Sequence, residues 1–292
     1  MPYELLKCMF AHSQLQYNIL KVARHMFQWT ASPTYFDFYE RAMLNGLIGN
    51  QNRLDPLMTS FIYMLPLGPA SHKPWGLSND SFPCCWGTLA ETFSKLTDSI
   101  YFQMPDSSGL FVNQYVSSSI QWDEQGVVIT QSANFPETAA TTAILISSSG
   151  SLLSMNNTWT MNIRIPFWAY TNRNFITING EAAGGGYPYP GQYFSISRAW
   201  KDGDLVEVSL PMTLRAERLK DNRDRFKSLY AIMYGPVLLV GLTKSSRLVF
   251  DPSNVSASVI RSSTTELLFK ANDVCHDSVV LMPLMDILLV LL

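Results

Sequence analysis

Two adjacent cysteines, Cys84 and Cys85, are the residues whose type and spacing point most directly to chemistry. They lie in Phe82-Pro83-Cys84-Cys85-Trp86-Gly87-Thr88, and just beyond them Leu89, Phe93, Leu96 and Ile100 recur at spacings of three and four. That is the period of a helix with one apolar face. A thiol in the first turn of such a helix meets unpaired N–H groups and the positive end of the dipole, which favours the thiolate. Two neighbouring thiolates can share one soft ion such as zinc. The pair fits two buried structural thiols or a strained vicinal disulfide as well, and spacing alone does not choose among them.

The elements that must position the pair read as helical over residues 1–105. Leu20, Ala23 and Phe27 share one face of the Tyr17–Trp29 stretch, with Ile19, Val22 and Met26 one step behind. So broad an apolar face suits a helix buried on more than one side. Ser32 and Pro33 are start signals for the next helix, in which Tyr35, Phe38, Tyr39 and Ala42 line one face and Gly46 and Gly49 close it. His25 falls inside the first helix and reads as structural. Met58–Leu67 is an apolar run, and residues 68–83 read as a loop leading to the cysteines.

After Tyr101 the texture changes to β-rich runs separated by Gly- and Asn-containing turns, among them 110–116, 126–131, 143–146, 160–165, 175–180, 193–196 and 205–210. This spacing predicts an antiparallel sandwich. Gly184-Gly185-Gly186 is a flexible loop and not a phosphate loop, since no helical pattern follows it. A second β-rich piece begins near Ala231, and the charged stretch from Arg215 to Lys227 reads as a solvated connection. The predicted fold is α+β and multidomain, with boundaries at 1–105, 106–212 and 213–292.

Composition excludes several classes of function. A chain of 292 residues with 47% hydrophobic content has enough apolar material for sizeable cores. The 21 basic and 23 acidic residues give a net charge of −2 with no basic run, which argues against nucleic acid or an anionic membrane as partner. Cys8 and Cys275 are too remote from the central pair for a disulfide framework. The first residues lack the basic start and apolar run of a signal peptide, whereas Asn79, Asn156 and Asn254 open glycosylation sequons. Compartment therefore stays open. The apolar Ile287–Leu292 is too short to span a bilayer and reads as a strand.

A family resemblance emerges from Tyr17–His25, Tyr39-Glu40-Arg41-Ala42, Tyr63–Pro69, Cys84–Thr88, Phe93–Leu96, Asp98–Phe102, Arg164-Ile165-Pro166-Phe167-Trp168 and Tyr234–Leu239. In this order the motifs resemble plant members of glycoside hydrolase family 127, the β-L-arabinofuranosidase-like proteins, over roughly residues 12–245. The resemblance implies the C-terminal part of an (α/α)6 barrel followed by antiparallel β-sandwich domains, with most of the barrel outside this chain. It implies retaining hydrolysis of terminal β-L-arabinofuranose on an arabinose-containing glycan or glycoprotein, with Cys84 as nucleophile and zinc ligand and Cys85 as a second ligand. A thiolate in that role must be deprotonated yet attackable, a state that zinc supports.

The chain departs from the family pattern where a Glu-x-Cys motif supplies two further zinc ligands. Here the matching stretch is His12-Ser13-Gln14, which leaves His12 as the candidate metal ligand. The family's general acid lies upstream of the matched segment. His72 and Trp75 stand before the cysteines as candidates to line a sugar cleft. Glu91, six residues beyond Cys85, falls off that thiol's face and reads as structural. Two expectations follow: an impaired glycosidase chain, or a non-catalytic carbohydrate-binding or structural module.

Overall fold

The computed structural model describes residues 13–51, 62, 73, 84–135, 141–150, 158–170, 172–221, 223–242, 249–263, 266–272 and 278–286. It is a mixed α and β structure with few helices and three sheets. The chain divides into two compact units that interleave in sequence. One comprises residues 1–25, 38–95 and 213–292; the other comprises 26–37 and 96–212.

Helix α1 (Ser13–Thr30) ends where Ala31 takes a left-handed φ of 50° and its N–H returns to the Phe27 carbonyl. Tyr17, Leu20, Ala23 and Phe27 are buried at helical spacing. The second apolar face behaves otherwise than its composition predicts: Ile19 and Val22 are exposed, as is Trp29. His25 also lies on the exposed side. Helix α2 (Thr34–Ala42) starts at the expected signals, with the Phe36 and Asp37 N–H groups both donating to the Pro33 carbonyl. It does not stop at Gly46. A π-helical turn (Met43–Leu47) and a 3-10 turn (Ile48–Asn50) prolong it, and Gly46 is where the Gln16 side chain comes so close that a β-carbon would collide with it. The third helix, α3 (Cys84–Ser94), carries the cysteines.

Strands β1 (Tyr101–Gln103), β2 (Gly109–Val112), β3 (Ser118–Trp122), β4 (Val127–Ala133), β5 (Thr141–Ser148) and β6 (Thr158–Ile165) follow in order. Next come β7 (Phe175–Ile178), β8 (Glu181–Ala182), β9 (Gln192–Ala199) and β10 (Leu205–Ser209). They form a four-stranded sheet, β1-β2-β6-β9, and a six-stranded sheet, β3-β4-β5-β10-β7-β8. All pairings are antiparallel except β2 with β6. Alternation explains the strands: Val127 and Ile129, Ile144 and Ile146, and Val206 and Val208 are buried at every second position. The β7–β8 hairpin turns on Asn179-Gly180, both at positive φ as a tight primed turn requires. Trp122 from one sheet meets Trp159 from the other edge to face at 5.1 Å, and Trp159 stacks on Trp200 at 5.0 Å.

Residues 26–37, the tip of the α1–α2 hairpin, pack in this same unit. Phe27 meets Phe36 and Phe102 at 4.8 Å each and Phe111 at 5.5 Å. Beneath them Arg164 is fully buried. Its Nη1 donates to Asp37 Oδ1 at 2.7 Å and its Nε to the Asn113 carbonyl at 2.6 Å, while the Phe167 N–H donates to the same Asp37 oxygen. Tyr115 donates its hydroxyl hydrogen to the Arg164 carbonyl, and Tyr193 to Asn113 Oδ1. Burial raises the Asp37 pKa, although Arg164 and the Phe167 N–H oppose the shift.

The other unit carries the third sheet. Its strands are β11 (Leu214–Arg218), β12 (Tyr230–Tyr234), β13 (Val237–Leu242), β14 (Val259–Arg261), β15 (Phe269–Asn272) and β16 (Ser278–Pro283), in the order β11-β12-β13-β16-β15-β14. A one-turn helix, α4 (Val255–Ser258), precedes β14. Strand β11 lies within the stretch whose charge predicts a solvated connection. Its charges are compensated: Glu217 accepts from Arg41 and from Arg215, whose Nη1 also donates to the Gly235 carbonyl. Asn45 ties α2's extension to the β12–β13 hairpin, donating to the Arg41 and Pro236 carbonyls at 2.8 Å and accepting from the Leu238 N–H at 2.7 Å. Ile62, Met233, Leu238 and Leu284 pack together as a core cluster. No helix among the described residues is long and apolar enough to cross a membrane.

Candidate functional site around Cys84

Helix α3 places its two thiols differently. Cys84, its first residue, is exposed and Cys85 is fully buried, and the two are not joined in a disulfide. Successive helical side chains diverge by about 100°, and the burial pattern follows. Cys85, Leu89 and Thr92 form the inward row at i, i+4 and i+7. Cys84, Thr88 and Glu91 occupy the outward row at the same spacing, with Thr88 Oγ1 reaching back to the Cys84 carbonyl at 3.4 Å.

Glu91 thus shares the face of Cys84, although not that of Cys85. Two helical turns separate them, about 10 Å along the axis. Its partners set its charge. Tyr17 donates its hydroxyl hydrogen to Glu91, Lys95 donates Nζ at 2.9 Å, and Lys21 lies 3.7 Å away and 4.1 Å from the Tyr17 ring centre. The Tyr17 and Lys95 hydrogen bonds bring the Glu91 pKa down to about 2. A carboxylate held ionised in this way ties α3 to α1 and has no proton to give at neutral pH.

The metal implied by the family resemblance needs a third and fourth donor. Among the described residues, no group of three or more His, Cys, Asp or Glu side chains gathers to hold an ion. One thiol faces outward and its neighbour inward, so the described donor set does not fit a tetrahedral zinc ion. His12, His72 and Trp75 lie outside the described residues, as do Cys8, Cys275 and Ile287–Leu292. Of the sequon asparagines only Asn254 is described, and it is exposed.

What the sequence reading missed here is Tyr17. It opens the Tyr17–Trp29 stretch without being assigned to either face, and it is 6% exposed, yet its hydroxyl serves Glu91. The signal was its polar tip at the edge of an apolar stripe.

Comparison with known proteins places these elements. Residues 15–98 match the GH127 β-L-arabinofuranosidase catalytic domain, and residues 109–212 match the GH127 middle domain. No curated protein matches the chain. Among solved structures, a glycoside hydrolase aligns with a TM-score of 0.71 at 15% identity, covering 94% of this chain and 49% of its own. A GH127 β-arabinofuranosidase aligns with a TM-score of 0.69 at 19% identity, covering 94% of this chain and 46% of its own. A GH127 β-L-arabinofuranosidase from Geobacillus stearothermophilus T6 aligns with a TM-score of 0.69 at 21% identity, covering 97% and 48%. At such identities the alignments establish a shared fold. Two successive segments of the chain are thus similar, in order, to two domains of GH127 β-L-arabinofuranosidases, and the chain spans about half the length of the solved structures it matches.

Proposed function

We propose that this chain is part of a retaining glycosidase acting on terminal β-L-arabinofuranose of arabinose-containing glycans, and that by itself it turns over such substrates poorly. In this reading α1 to α3 are the closing helices of an (α/α)6 barrel within residues 1–105. Residues 106–212 are a β-sandwich domain and residues 213–292 a second β-rich domain. Cys84 is the nucleophile. The observation that carries the reading is the exposed thiol at the first position of α3, inside the segment matching the catalytic domain.

Retention requires two displacements. In the first, the Cys84 thiolate forms a C–S bond at the anomeric carbon as the glycosidic C–O bond breaks, and the departing oxygen needs a proton. Glu91, the carboxylate on the same helix face, is ionised and about 10 Å away, so it does not supply one. In the second, water attacks the anomeric carbon and the thiolate leaves. The slow step of this chain alone is therefore departure of the leaving group.

Leaving-group acidity tests this. An aryl β-L-arabinofuranoside, whose phenolate leaves unaided, is expected to be cleaved in a Cys84-dependent way. An unactivated arabinofuranoside is cleaved about 10²–10⁴-fold more slowly, the usual worth of a general acid. Comparable rates on both substrates would overturn the impaired reading. Rates unchanged in Cys84→Ser would remove Cys84 from its role. The second reading, a carbohydrate-binding module without turnover, is favoured by the exposed aromatic residues Tyr170 and Tyr189 in the β-rich unit.

A further inference from the structure

We propose that Asn179-Gly180, at the tip of the β7–β8 hairpin, is a latent modification site. Asn179 there loses ammonia and becomes Asp or isoAsp once the hairpin opens, and the fold withholds the reaction while the hairpin stays closed. The inference is independent of the Cys84 chemistry and lies within the unit of residues 26–37 and 96–212.

The reaction needs only water. The Gly180 nitrogen gives up its proton and bonds to Asn179 Cγ, ammonia leaves from that carbon, and a cyclic imide closes. Water then opens the imide at either carbonyl, leaving Asp or isoAsp in place of Asn. Glycine hinders this attack least, because it carries no side chain. The Gly180 half of the pair is ready. It is exposed, at a φ of 82°, and a β-carbon built on it would meet nothing within 4 Å.

The Asn179 half is not. Strand β10 pairs Val206 with Ile178, and one step further along that ladder Leu205 comes opposite Asn179. The Asn179 N–H donates to the Leu205 carbonyl at 2.8 Å, and the Leu205 N–H donates to Asn179 Oδ1 at 2.9 Å. The side-chain oxygen thus takes the place of a strand carbonyl where the main chain has turned away at a φ of 55°. Nδ2 donates in turn to Asp204 Oδ1 at 2.9 Å. With both ends of the carboxamide held, Cγ cannot swing over the Gly180 nitrogen without breaking both bonds. Breaking them deprives Asp204, which is 4% exposed, of a donor. Asp204 is itself fixed, since its Oδ2 accepts from the Lys201 N–H at 2.9 Å and lies 3.5 Å from Arg198 Nη2.

The product does not fit the place it came from. An Asp at 179 sets a carboxylate oxygen where Nδ2 had donated, against Asp204 Oδ1, and like charges so close repel. IsoAsp lengthens the backbone within a two-residue turn whose length sets the register of β7 and β8. Conversion therefore marks chains whose hairpin has opened and keeps it from closing as before.

The test is peptide mapping by mass spectrometry of the full chain held at mildly alkaline pH, folded or in guanidinium chloride. Asn179 is expected to convert at least about tenfold more slowly in the folded chain, because reaction there waits on local opening. Asp204→Ala, with its fold checked by circular dichroism, is expected to lose most of that protection. Hydrogen exchange of the Leu205 N–H in the wild type reads the same event without a substitution, and conversion is expected to quicken in step with it as denaturant is added. Asn179→Asp is expected to unfold at a lower denaturant concentration than the wild type. Equal rates in the folded and unfolded chain would overturn the protection, and an unreactive Asn179 in denaturant would overturn the site. A folded Asp204→Ala as slow as the wild type, or conversion that does not follow Leu205 exchange, would overturn the hold on the carboxamide. An unchanged unfolding midpoint in Asn179→Asp would overturn the misfit of the product.

Discussion

At the residue scale the structure separates two thiols that stand side by side in the sequence. Cys84 is exposed and Cys85 has no accessible surface. Under native conditions a disulfide reagent is expected to modify Cys84 in a fast phase and Cys85 only on unfolding, which mass mapping of the labelled peptides would check. Two equally fast thiols would contradict this placement. Elemental analysis of the reduced protein is expected to find no more zinc than in a Cys84→Ser/Cys85→Ser control, because His12-Ser13-Gln14 offers a soft ion one imidazole where the family has a carboxylate and a thiolate. About one ion per chain, lost in the control, would show the donor set completed by other residues. Glu91 gives a pH signature. Its pKa falls from 4.5 to about 2, so its contribution to stability is in place above pH 4.5 and is lost as the pH drops toward 2. The stability difference between wild type and Glu91→Gln, followed by urea unfolding, is expected to narrow across that window. A constant difference would place the effect elsewhere than in the carboxylate's charge.

At the scale of elements, the buried pair of Asp37 and Arg164 locks the start of α2 onto the sheet that contains β6. With the partner gone, a carboxylate would remain buried beside the Phe167 N–H. Arg164→Met is expected to cost about 3–5 kcal/mol in chemical denaturation. Arg164→Lys is expected to recover little, since one ammonium does not reproduce the fork reaching both Asp37 and the Asn113 carbonyl. A loss below about 1 kcal/mol would mean that the pair is not what holds the helix there. The sequence foretold these elements unevenly, for physical reasons. Strands β4, β5, β6 and β10 were legible because their apolar residues alternate. Strand β11 was not, because Leu-Arg-Ala-Glu-Arg looks solvated until Arg41 is known to meet Glu217. Helix α1 was legible in extent but not in environment: periodicity shows which positions are apolar, not which are covered, and Ile19 and Val22 proved exposed. The cysteine pair was visible as chemistry, but which thiol faces out depended on where α3 begins.

For the whole molecule, the division by residue number and the division into compact units follow different cuts. The chain passes between the two units four times, at 25/26, 37/38, 95/96 and 212/213. Residues 13–105 made alone would lack the sheet that Asn45 grips and the core in which Ile62 meets Met233 and Leu284. Such a piece is expected to show no cooperative thermal transition, whereas the 292-residue chain does. A sharp transition in the piece would show its helices to be self-sufficient.

The interleaving also imposes an order on synthesis. As the polypeptide leaves the ribosome, residues 26–37 and 96–212 are all available once residue 212 has emerged, so the unit in which Trp122, Trp159 and Trp200 pack together can close while synthesis continues. It does so with residues 38–95, including the cysteine helix, held as an excursion between two of its own segments. That excursion has no completed partner until the strands from Leu214 to Pro283 arrive. The nascent chain therefore passes through a stage in which every segment of one unit is present while the unit bearing Cys84 still awaits its sheet.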